Sequence, residues 1–113
     1  MLLAELPGGR HLVGLPGNPL AAVAGMVTLA LPLLRALAGR SAGEPSPAVA
    51  VDPLPGHPVD TRLLPVRRTA RGVLPLPYDG PAMLRGLARA DALAVVPPGG
   101  AAAGDEIELL EAP

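Results

Sequence analysis

At 113 residues the chain is long enough for one domain, or a small domain with a piece of another, and such a length buries roughly 60–70% of its unfolded surface. Half of the residues are hydrophobic but Tyr78 is the sole aromatic, so any core must be built from Leu, Val and Ala. The formal charge is −1, all nine cations are Arg and Cys is absent, which excludes a basic nucleic-acid footprint, lysine chemistry, disulfides and thiolate metal sites.

Residues 2–6 and 11–13 flank Pro7-Gly8-Gly9 and predict a short hairpin. Its second strand runs into Gly14-Leu15-Pro16-Gly17-Asn18-Pro19. Pro16 and Pro19 restrict φ, and Gly17 turns where a Cβ would clash. Asn18 is a preferred N-cap and Pro19 a preferred first helical residue. Amide groups of that first turn would point out of the loop, as an anion site requires. Leu20, Val23, Val27, Leu31 and Leu34 then follow helical spacing, and a helix over 19–37 is predicted. Pro32 should kink or break it, and Gly39 is placed as its C-terminal cap.

The charge-free run 20–34 falls short of the ~20 apolar residues of a membrane span and contains Pro32, so it reads as a core helix. Ala36-Leu37-Ala38 resembles a leader cleavage site, which keeps a secreted β domain as the weakest reading. Against it, only Arg10 and Glu5 carry charge ahead of the apolar run. A helix apolar around its circumference is buried on more than one side, and partner surface from further sequence or a second subunit is expected.

Residues 40–47 read as a linker, rich in Ser, Gly and Pro. Beyond it the texture is β-like: strands are predicted over 48–52, 61–69, 72–76 and 92–96, with a last alternating strand over 106–109. A short helix over 82–90 turns Met83, Leu84 and Leu87 inward and Arg85 and Arg89 outward. The fold class is α+β: a hairpin and long apolar helix over 1–39, then a mostly β, barrel-like domain over 48–113.

Few residues offer chemistry. His11 sits in a predicted strand and His57 in the Pro55-Gly56-His57-Pro58 turn, and neither has metal-ligand spacing to a partner. Asp52 and Asp60 flank the His57 turn and are read as exposed turn residues. Arg67, Arg68 and Arg71 are read as a solvated strand edge that discourages edge-to-edge pairing. No catalytic residue and no metal ligand is assigned. Pro16, Gly17, Asn18 and Pro19 remain as the candidate binding loop.

The string Val13-Gly14-Leu15-Pro16-Gly17-Asn18-Pro19, the apolar helix with Pro32 and the closing Leu37-Ala38-Gly39 resemble the molybdopterin molybdenumtransferases, the MoeA and gephyrin E-domain class. The run from Met83 to Leu93, then Val95-Val96-Pro97 and the segment Gly104 to Leu110, resembles the same family's C-terminal domain. The resemblance implies insertion of molybdate into adenylylated molybdopterin with release of AMP, using a divalent ion such as Mg²⁺, by cytoplasmic homodimers with four domains per subunit. It places residues 1–39 at the end of the third, α/β molybdopterin-binding-like domain and 48–113 in the fourth. It makes Pro16, Gly17, Asn18 and Pro19 pocket-lining. Two departures stand out: Ala21 occupies a position usually held by a small hydroxyl residue, and Asp79-Gly80-Pro81 a region that often carries Ser. The family's acidic and lysine residues for metal and phosphate have no counterpart here. The expected partners are a second copy or a complementing N-terminal fragment and the small-molecule substrates, with no nucleic acid and no membrane. A non-catalytic interaction or dimerisation module is the alternative.

Overall fold

Pro7-Gly8-Gly9 reverses the chain between β1 (Leu2–Leu6) and β2 (Arg10–Gly14). Gly8 and Gly9 have φ of +82° and +74°, a region that glycine enters without a Cβ clash. The strands pair antiparallel, with Leu2 opposite Gly14, Ala4 opposite Leu12 and Leu6 opposite Arg10. The predicted hairpin is present, its second strand longer by one residue at each end. The computed structural model describes residues 2–14, 17, 19–40, 45–77 and 83–111. It divides into two compact units, Met1–Gly43 and Glu44–Ala112.

In the first unit the helix begins as α1 (Pro19–Gly25), widens into a π-turn over Met26–Ala30 and continues as α2 (Leu31–Leu37). The Leu31 N–H donates to the Met26 carbonyl, five residues back. This is where proline acts. Pro32 has no N–H, and in a regular α-helix its ring would collide with the Thr28 carbonyl. Widening the preceding turn relieves that collision, so the helix does not break at Pro32. The Thr28 hydroxyl donates to the Ala24 carbonyl at 2.7 Å, so its polar group is satisfied within the helix. At the C-terminus Arg40 N–H donates to Arg35 O at 2.7 Å and Gly39 N–H to Ala36 O at 3.1 Å. With Gly39 at φ +74°, this is the Schellman cap that its position predicts.

Within its own unit the helix has little cover, as expected of an apolar helix whose partner surface comes from further sequence or a second subunit. Of its described side chains only Val27 is buried, while Leu34 and Leu37 are 57% and 61% exposed. Among the described residues, the remainder of this unit is a two-stranded hairpin, too little surface to cover an apolar cylinder. Among the described residues, Leu20–Leu37 is also long and apolar enough to cross a membrane, by length and composition alone. A core helix or a leader segment meets the same criterion.

The second unit is a curled antiparallel sheet of β3 (Ser46–Val49), β4 (Arg62–Thr69), β5 (Gly72–Pro75), β6 (Ala92–Val96) and β7 (Glu106–Glu111), in the order β3-β7-β6-β4-β5. β3 starts at Ser46, two residues ahead of the predicted strand. The two outer strands meet: Ala50 and Val73 form a parallel bridge, and Val51 N–H donates to Val73 O at 3.0 Å. The sheet therefore curls into a half-barrel whose outer strands touch at this seam, which covers part of the edge that a flat sheet would present. The seam depends on Gly72, with φ +145°, because a Cβ there would run into the Val49 carbonyl.

Inside lie Ala50, Leu54, Leu64, Val66, Val73, Ala92, Ala94, Val96, Ala101, Ile107 and Leu109. The core is entirely aliphatic. Period-two alternation puts Pro65 and Leu93, which are paired across β4 and β6, on the outer face, and both are fully buried. The element packed on β4 there is α3 (Met83–Arg89). A Cβ on Gly86 would strike the Pro77 carbonyl, so this glycine sets how closely α3 approaches. The inward face is consequently Met83, Gly86, Leu87 and Ala90, at helical spacing. Leu84, expected inward, is 63% exposed because the helix leans on its glycine and not on that leucine.

Candidate functional site

The candidate loop joins the end of β2 at Gly14 to the start of α1 at Pro19, so four residues separate strand from helix. Gly17 is exposed, and no heavy atom lies within 4 Å of where its Cβ would stand. Pro19 is the first residue of α1. Pro16 and Asn18 lie outside the described residues. At the loop's base a Gly14 Cβ would meet Leu2 Cβ at 3.3 Å, which favours glycine opposite Leu2. Ala21, in the first turn, is already engaged by an interaction of its own.

The two histidines are far apart in role. His11 stands opposite Glu5 on the exposed hairpin. His57 Nδ1 accepts the backbone N–H groups of Val59 at 3.1 Å and Asp60 at 3.0 Å. A nitrogen accepting two N–H groups carries no proton of its own, so the ring is the Nε2–H tautomer. The Asp60 carboxylate, 3.6 Å from the same nitrogen, is then a neighbour and not an ion-pair partner. The turn itself is held through the backbone. Gly99 N–H donates to His57 O at 2.9 Å, and Leu54 and Ala101 exchange a pair of hydrogen bonds at 2.8 and 3.0 Å. Gly56 packs against Gly100 so closely that a Cβ would overlap its amide nitrogen. The side chain thus holds its own turn through the Val59 and Asp60 amides, as a structural histidine does.

The arginine trio separates in the structure. Arg67 and Arg71 are exposed. Arg68 Nη2 pairs with Glu111 Oε1 at 2.9 Å, and its backbone N–H donates to Asp91 Oδ2 at 2.8 Å. Asp91 N–H donates in turn to Val66 O at 2.9 Å. These contacts tie the end of β4 to the start of β6 and the end of β7. They join residues 23 and 43 positions apart, and no local motif signals them. Among the described residues, no cluster of three or more His, Asp or Glu side chains is arranged to hold a metal ion. The described carboxylates therefore do not form a site that fits the divalent ion implied by the resemblance.

Residues 47–111 match the family model described as MoeA C-terminal region (domain IV). The chain belongs to this family. No curated protein matches it. The domain IV match runs from the second residue of β3 to the last residue of β7, so it takes in all five strands but for Ser46, and α3. The family places the chain in molybdenum cofactor biosynthesis. The Gly14–Pro19 string lies upstream of the matched residues, and its assignment comes from the sequence resemblance.

Proposed function

We propose that this chain supplies the C-terminal portion of a molybdopterin molybdenumtransferase, with the 16–19 loop lining the pocket for the anionic substrates molybdate and adenylylated molybdopterin. The observation that carries this reading is the order of parts. In chain order, a strand, the Pro-Gly-Asn-Pro string and a helix precede the domain IV sequence. The physical support is the open Gly17 beside a helix start, where backbone amides and the helix dipole favour an anion. In this reading Pro16 and Pro19 hold the turn, Gly17 lets substrate approach the backbone, and Asn18 caps the helix. The acidic residues that would hold Mg²⁺ and the lysine that would meet phosphate come from a complementing N-terminal fragment, and the assembly works in the cytoplasm. The chain by itself does not turn over.

The test is complementation. The chain is co-expressed with an N-terminal fragment of a related enzyme, the complex is purified, and cofactor formation and AMP release are measured from adenylylated molybdopterin and molybdate. Turnover by the complex, and none by either part, is expected. A stable complex without turnover would overturn the catalytic reading and leave the interaction module, which the exposed leucines at positions 2, 3, 6, 12, 34 and 37 favour.

A further inference from the structure

We draw no further inference here: the strongest candidate, the exposed apolar faces of the 19–37 helix and of the β1–β2 hairpin, carries none because nothing in the structure shows what covers them.

Discussion

Gly72→Ala tests whether the seam between the outer strands stabilises the domain IV sheet. Gly72 has φ +145°, and the added Cβ would meet the Val49 carbonyl, a backbone atom that cannot rotate away. The conformational part costs about 1–2 kcal/mol for a residue with a Cβ. Displacing Val49 also disturbs the Ala50–Val73 bridge and the Val51 N–H to Val73 O hydrogen bond, about 1 kcal/mol more. The expected loss is about 2–3 kcal/mol, out of a total on the order of 5–10 kcal/mol for a small domain. For a domain of this size the midpoint falls by roughly 10–25 °C. Gly99→Ala is the control: φ is +86°, but a Cβ there meets nothing within 4 Å, so only the conformational cost applies. Both variants are followed by urea and thermal unfolding with circular dichroism. Equal losses in the two would refute the seam as a source of stability, and so would a Gly72→Ala protein within about 0.5 kcal/mol of the parent.

Leu64→Ala removes a fully buried side chain and should cost about 2–5 kcal/mol in the same unfolding experiment, whereas Leu84→Ala on the exposed side of α3 should stay within about 0.5 kcal/mol. Nitrogen-15 NMR of the imidazoles should report His57 with its proton on Nε2; a proton on Nδ1 would contradict the paired Val59 and Asp60 contacts. Hydrogen exchange of the chain alone should protect β4 and β6 far more than β1, β2 and the 19–37 helix, since the first unit buries almost no apolar side chain. Equal protection in both units would show that the helix has cover within the chain.

Local chemistry was the most legible part of this protein. Pro7-Gly8-Gly9 predicts the hairpin, Pro19 the helix start and Gly39 its cap, because each rests on φ preferences that a few neighbours determine. Pro32 shows the limit of that reasoning. A missing N–H announces a disturbed helix, but whether it breaks or widens depends on what the following residues gain by staying helical. The inward face of α3 was misread at Leu84 for a related reason. Hydrophobicity alone ranks leucine above glycine, while packing against the Pro77 carbonyl selects Gly86. The candidate loop was legible only as a string: its turn chemistry is local, but a pocket is made by surfaces distant in sequence.

By itself, the order of residues determined the elements, the aliphatic character of the core and the family pattern, since these follow from backbone preferences, periodicity and composition. Tertiary structure alone decided that β3 and β5 meet at Ala50 and Val73 and that Arg68 reaches Asp91 and Glu111. Each of these depends on where remote segments come to lie, and a pairing energy between positions tens of residues apart leaves no mark on the local preferences of either one.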